Sequence, residues 1–248
     1  MSSSTTAPPV RTARARARVT FVTIAVTIAV TVAALCAAAS PRDAGAQILR
    51  GSKARTPLVW VSLSPGYFQT QSVNDGSTQS VWDFGSGLAW RGALEMGLGG
   101  SSSFGVMGTY AHMPLRFYQG ALLASCHSGC DAHANVMGLA ASFHAGGANV
   151  GLFQVIEATA GATLYRGFSL DRAGDTATLP TSDTDLNLTI GYGFGYQVNR
   201  RMQIAIVQDL GAAWHQRKNL PNDAGNMVQQ QTTRLTVRLG AGQRGAVR

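Results

Sequence analysis

Residues 185–198 read Asp-Leu-Asn-Leu-Thr-Ile-Gly-Tyr-Gly-Phe-Gly-Tyr-Gln-Val. Leu186, Leu188, Ile190, Tyr192, Phe194 and Tyr196 hold the even positions, and the odd positions are polar or glycine. A period of two makes a strand with one apolar and one polar face. The run is too long for an ordinary soluble strand of about 5–6 residues. It suits a membrane-crossing strand, which needs roughly 9–11 residues when tilted. In lipid such a strand survives only in a closed sheet, so the chain must supply companions.

Seven further segments carry the same signature. The first spans about 58–70, with Val59, Val61, Leu63 and Tyr67 on one face. The second spans about 80–97, with Trp82, Phe84, Leu88, Trp90, Leu94 and Met96 in phase. The third, about 103–115, has Phe104, Val106 and Tyr110 in phase and loses it near Met113-Pro114, as at a bulge or a barrel rim. The fourth, about 133–144, offers Met137, Leu139, Ala141 and Phe143. The fifth, about 150–166, offers Ile156, Ala158, Ala160, Ala162 and Leu164. The sixth is the run at 185–198. The seventh, about 201–215, offers Met202, Ile204, Ile206, Leu210, Ala212 and Trp214, and the eighth, about 232–240, offers Leu235, Val237 and Leu239. Connections after the even-numbered segments are short, and those after the odd-numbered ones are long and polar. That asymmetry is the layout of a bacterial transmembrane barrel, with short periplasmic turns and long extracellular loops. Tyr67, Trp82, Tyr110 and Trp214 fall near the long-loop ends, and Phe104, Phe143, Phe194 and Tyr196 near the short-turn ends, as two aromatic girdles would.

Charge obeys the same pattern. No Asp, Glu, Lys or Arg lies on the apolar faces. Asp83, Arg91, Glu95, Glu157, Asp185, Asp209, Arg234 and Arg238 all fall on the opposite faces. An Arg or Lys facing the bilayer midplane costs roughly 2–4 kcal/mol. A narrow lumen instead forces charges to find partners. Asp83, Arg91, Glu95, Glu157, Asp209, Arg234 and Arg238 are therefore the candidate lumen network, and the glycines beside them fit the crowded interior of an eight-stranded barrel.

The N-terminus reads as an export signal. Arg11, Arg14, Arg16 and Arg18 precede an apolar run from Val19 to Ala39, and Ala44-Gly45-Ala46 precedes Gln47. Residues 1–46 form the expected signal peptide, cleaved between Ala46 and Gln47, with an uncleaved anchor helix as the alternative. Leu35 before Cys36 argues against a lipoprotein. Without residues 1–46 the net charge of +8 falls to +4, with no block of like charge, so no nucleic-acid surface is expected. Charged residues make up 13% of the chain, against about 25% in ordinary soluble proteins. The same alternation turned inside out would build a soluble periplasmic barrel that binds a ligand. The scarcity of Lys and Glu, the export signal, the strand lengths and the loop asymmetry favour lipid outside.

In these features residues 58–240 resemble the small outer-membrane β-barrel superfamily, the OmpA/OmpX-like transmembrane domains. The resemblance rests on pattern rather than on a sharp motif. It implies an all-β, eight-stranded antiparallel up-and-down barrel over 47–240 with a C-terminal tail at 241–248, and no peptidoglycan-binding domain after the last strand. Such proteins usually end on an aromatic that the barrel-assembly machinery reads. Here Thr-Arg-Leu-Thr-Val-Arg-Leu-Gly is followed by a tail without one. The expected location is the outer membrane, with membrane lipid and the assembly machinery as partners and an unidentified extracellular ligand.

Chemistry is harder to find. Cys126 and Cys130, the two cysteines outside the signal, bracket a short loop in an oxidising compartment, so a disulfide is expected. Their spacing with His127 and His133 fits no structural zinc pattern. His112, His144 and His215 are candidate catalytic groups by residue type, with Asp209 near His215, but no active-site motif surrounds them. No catalytic set, metal site or cofactor is expected. The expected role is structural or surface-interactive, in a largely plugged barrel. The alternatives are a narrow solute channel and a lipid-modifying enzyme.

Overall fold

The computed structural model describes residues 57–99, 101–120, 125–147, 149–172, 175, 177–215 and 227–242. The signal segment, Ala46, Gln47 and residues 243–248 of the tail lie outside the described residues. The described residues contain strands and no helix. The strands are β1 (Val59–Thr70), β2 (Val73–Asp75), β3 (Ser80–Phe84), β4 (Gly87–Gly99), β5 (Ser102–Gln119), β6 (Cys130–Ala145), β7 (Gly151–Leu170), β8 (Ser182–Asn199), β9 (Met202–Trp214) and β10 (Met227–Ala241).

Eight of them close a barrel. Antiparallel pairing runs β1–β4–β5–β6–β7–β8–β9–β10 and returns from β10 to β1, where Val61 meets Leu239 and Leu63 meets Val237. This is the up-and-down architecture that the resemblance implies. β2 and β3 form a hairpin that extends β1 and β4 beyond the barrel wall, with β3 paired to the far end of β5.

The outer surface of the wall is apolar. Leu186 is 71% exposed, Met96 64% and Leu139 65%, and Leu63, Leu94, Val106, Ile190, Phe194 and Ile206 are likewise exposed. On β8 the exposed run extends from Leu186 to Tyr196. At about 3.3 Å per residue and a tilt near 40°, it is roughly 25 Å tall. That matches the lipid-facing band of a transmembrane barrel. The inward residues of the same strand, from Asp185 through Gly191 to Gln197, are buried or half-buried.

Beyond the outer edge of this band the polarity inverts. β5 points Phe104, Val106 and Tyr110 outward, then continues in unbroken register with β6 to Phe117. Past Ala111 its outward residues are His112, Pro114 and Arg116, and its inward ones are Met113, Leu115 and Phe117. The loss of phase at Met113-Pro114 is thus no bulge in β5. The strand leaves one environment and enters another, where water lies outside and an apolar core inside.

The second predicted strand solves the same problem differently. From Phe84 to Ala89 it advances five residues while β5 advances four, from Leu115 to Ala111. The extra residue sits at Gly85-Ser86 and flips the face, as a bulge does. Trp82 and Phe84 therefore point inward while Leu88 and Trp90 point outward. Two expectations are corrected here. Trp82 belongs to no aromatic girdle, because it is fully buried. Asp83 belongs to no lumen network, because the same flip places it on the outer surface, across the sheet from Arg116 and bonded to Ser72 Oγ at 2.5 Å.

Candidate functional site

Two layers of buried polar chemistry fill the described barrel. The first lies within the apolar band. Arg234 Nε donates to Asp209 Oδ2 at 2.6 Å, and its Nη2 reaches Asp209 Oδ1 at 3.1 Å and Glu157 Oε2. Arg91 bridges the same two carboxylates, at 2.9 Å to Glu157 and 3.5 Å to Asp209. His144 Nδ1 bonds Glu157 Oε1 at 3.0 Å. Nearer the short turns, Arg238 pairs with Glu95, donates to Gln203 Oε1 at 2.6 Å, and lies 4.8 Å over the Trp60 ring. Three arginines thus meet three carboxylates, each side chain less than 10% exposed. The structure brings Arg91, Glu95, Glu157, Asp209, Arg234 and Arg238 together and leaves Asp83 out.

Glycine makes the crossing possible. A Cβ on Gly191 would stand 2.4 Å from Asp209 Oδ1 and 3.4 Å from the Glu157 Cβ. One on Gly66 would meet the Arg234 Cβ at 2.8 Å. Above the network a cavity of about 70 Å³ is bordered by Thr159, Thr163, Asn187, Gln230 and Arg234. That is far below the few hundred Å³ of a typical ligand site.

The second layer sits at the long-loop end, past Trp214 and Leu164, outside the membrane-spanning segments. Its floor and walls are apolar. Trp82, Phe117, Met113 and Tyr165 are at most marginally exposed, and the Trp82 ring packs 4.7 Å from Phe168 and 5.6 Å from Tyr165. Burying side chains of this size stabilises by about 1.5–3 kcal/mol each. Cys126 and Cys130, both buried here, are joined by a disulfide with their Cα atoms 5.0 Å apart.

A polar cluster is embedded in this core. His215, just past the end of β9, bonds Asp185 Oδ1 through Nδ1 at 2.8 Å. Its Nε2 faces Asp183 Oδ2 at 3.5 Å and Asp75 Oδ1 at 3.8 Å. The Trp82 ring stands 5.2 Å from the imidazole, edge on. Asp75 is gripped by the β2–β3 turn: Ser77 donates to Oδ1 from its backbone nitrogen at 2.8 Å, and the Thr78 hydroxyl donates to Oδ2. Gln79 completes that turn at φ 52°, a region that non-glycine residues visit at some cost. Burial works against a charged His215, but the carboxylates of Asp185, Asp75 and Asp183 outweigh it and push its pKa up to about 9. Burial likewise works against ionised Asp75, and His215 with the Thr78 and Ser77 hydroxyls overcomes it, holding Asp75 well below the usual carboxylate range.

The other histidines are elsewhere. His144 belongs to the lumen network near the short turns. His112 and His133 lie on the outer surface with ring centroids 4.9 Å apart, and His133 bonds Asp171 at 2.8 Å. Asp209 is not a partner of His215. It lies six residues down β9 on the same inward face, about 20 Å away along an extended strand. Sequence reasoning placed Asp185 on the inward face and noticed His215, but nothing in it joined Asp75 and Asp183 to them.

No family model matches the chain, and no curated protein matches it. Solved structures similar to it are small outer-membrane barrels. Neisserial surface protein A is 15% identical, with 73% of this chain and 96% of that one aligned and a TM-score of 0.44. Ail, the attachment invasion locus protein of Yersinia pestis, solved with the heparin analogue sucrose octasulfate, is 14% identical over 73% and 99%, with a TM-score of 0.38. The outer membrane protein AlkL, solved in lipid bilayers, is 13% identical over 80% and 97%, with a TM-score of 0.41.

Proposed function

We propose that the chain is an integral outer-membrane barrel, exported by residues 1–46 with cleavage after Ala46. Its lumen is closed by ion pairs, and its extended outer end serves a structural or surface-interaction role. One observation carries this reading: the inversion of polarity along single strands. Leu94 and Val106 are exposed and apolar where lipid would lie. Met113 and Phe117 are buried, and Arg116 is exposed, where water would lie. Two solvents written into one strand are what a protein anchored in a bilayer and projecting from it requires. The Arg91–Glu157–Arg234–Asp209 layer supports closure rather than conduction. It blocks the lumen at about mid-height with charges already satisfied by one another.

The test is reconstitution. The full-length protein refolded into planar bilayers should carry no steady single-channel current, while its unheated form runs as a compact band on a gel. A stable channel in the unmodified protein overturns the plugged lumen. Turnover of lipid A, by deacylation or palmitoylation, overturns the non-enzymatic role. N-terminal sequencing of the protein from the outer-membrane fraction should begin at Gln47, and extraction into buffer without detergent would overturn the membrane assignment.

A further inference from the structure

We propose that Asp75, Asp183 and His215 form a binding site for a divalent transition cation, zinc by its donor set, at the outer end of the barrel. The three side chains come from β2, from β8 and from the residue after β9, and one donor atom from each lies within 4.8 Å of the others. The Nε2 distances to the two carboxylates, 3.5 and 3.8 Å, are close to the separation of about 3.3 Å between two donors bound at about 2.0–2.1 Å to a tetrahedral ion.

The independent observation is the orphaned imidazole nitrogen. His215 is 3% exposed, and its Nε2 makes no hydrogen bond. A buried polar atom without a partner is costly and calls for a ligand or a reason. This one aims between two carboxylate oxygens. Nδ1, on the far side of the ring, donates to Asp185 Oδ1 at 2.8 Å. That bond holds the Nδ1 proton in place, so an arriving cation need displace only the Nε2 proton to reach a lone pair. A carboxylate behind a histidine that ligates through its other nitrogen is the usual second sphere of a zinc site.

Charge points the same way. Three carboxylates converge here, and among the described residues their ion-pair contacts come from His215 alone. One imidazolium leaves the three acids two charges in excess beside Trp82 and Tyr165, whereas a dication on neutral His215 leaves only one. One imidazole nitrogen with two carboxylate oxygens is a donor set that zinc accepts, leaving a fourth position open. Access exists as well. The Asp183 side chain is 26% exposed while those of Asp75 and His215 are 2% exposed, so an ion arrives past Asp183.

Calorimetric titration of zinc chloride into the chelator-treated, detergent-folded full-length protein tests this. About one zinc per chain should bind saturably. Asp183→Asn should weaken binding at least tenfold, and His215→Ala should abolish it. His133→Ala, which alters the exposed His112–His133 pair, should leave it unchanged. Asp183 is partly exposed and accepts a local hydrogen bond from the Thr184 nitrogen, so this variant decides the matter if His215→Ala fails to close on a gel. No saturable uptake by the folded wild type, or wild-type affinity in Asp183→Asn, overturns the site. Loss of binding in His133→Ala does the same by moving it to the outer surface.

Discussion

Replacing Arg234 by methionine removes the side chain on which the lumen layer turns. Arg234 holds Asp209 through two nitrogens and Glu157 through one of them, and it also donates to Thr236. Without it Glu157 keeps Arg91 at 2.9 Å and His144 at 3.0 Å. Asp209 keeps only the longer contact to Arg91, at 3.5 Å. The lumen then carries two arginines against three carboxylates, with the excess charge buried. Removing one partner of a buried pair costs about 3–5 kcal/mol, most of it the stranded charge. Arg234→Met/Asp209→Asn restores the balance of two against two, so the double variant should be more stable than the sum of its parts by about 1–3 kcal/mol. The assay is urea unfolding in lipid vesicles, followed by tryptophan fluorescence and by gel migration. With a slope of about 1–3 kcal/mol per molar urea, the single substitution should lower the midpoint by a molar or more. An unfolding free energy within about 0.5 kcal/mol of wild type, or strict additivity in the double variant, refutes the claim that these charges form one interdependent layer.

Trp82→Ala should cost about 3–5 kcal/mol locally. Hydrogen exchange should rise in β3 and at the outer ends of β5 and β6, while amides of the apolar band stay protected; uniform loss of protection would show that the two regions fold as one. Gly191→Val should displace the Asp209 carboxylate, which lies 2.4 Å from where a Cβ would stand, and should lower the urea midpoint more than Gly92→Val, whose Cβ would meet only the Ser62 carbonyl at 3.9 Å. In metal-free protein His215 titrates near 9 when folded, above about 6.5 when unfolded. Its ion pairs therefore stabilise fully below about pH 6.5, and that contribution fades as pH rises through 9. The stability gap between wild type and His215→Asn should shrink from pH 6 to pH 10; a gap that widens reverses the sign and refutes the assignment.

Most of the wall was legible because one rule governs it. Alternation with a period of two survives wherever a strand has lipid on one side and a packed lumen on the other, so Leu186 to Tyr196 could be read directly. The reading failed where the rule changed. Counting evenly from Trp82 to Leu88 crosses Gly85-Ser86, and one inserted residue reverses every side chain before it. In β5 the spacing stayed regular and the chemistry reversed instead, which looked like lost phase at Met113. Arg91, Glu157, Asp209 and Arg234 were recoverable as a set because each lies inside its strand and opposite signs had to meet. The Asp75–Asp183–His215 group was not. Its members flank three different long connections and become neighbours only when the β2–β3 hairpin pairs with the far end of β5 and extends the wall.

The reversal of polarity along β5 also constrains how this protein can reach its membrane. On the proposed export route through the periplasm, an unfolded chain offers Phe117, Met113 and Trp82 no bilayer to enter and no core to join. On that route their partners should come together only after the strand ends carrying them have crossed the membrane, so insertion should precede closure of the outer core. Once Trp82 is packed against Tyr165 and Phe168, the outer end is too bulky and too polar on its outside to slip back. A barrel inserted in this way would be held from the far side, and reversing its orientation would require unfolding that head first.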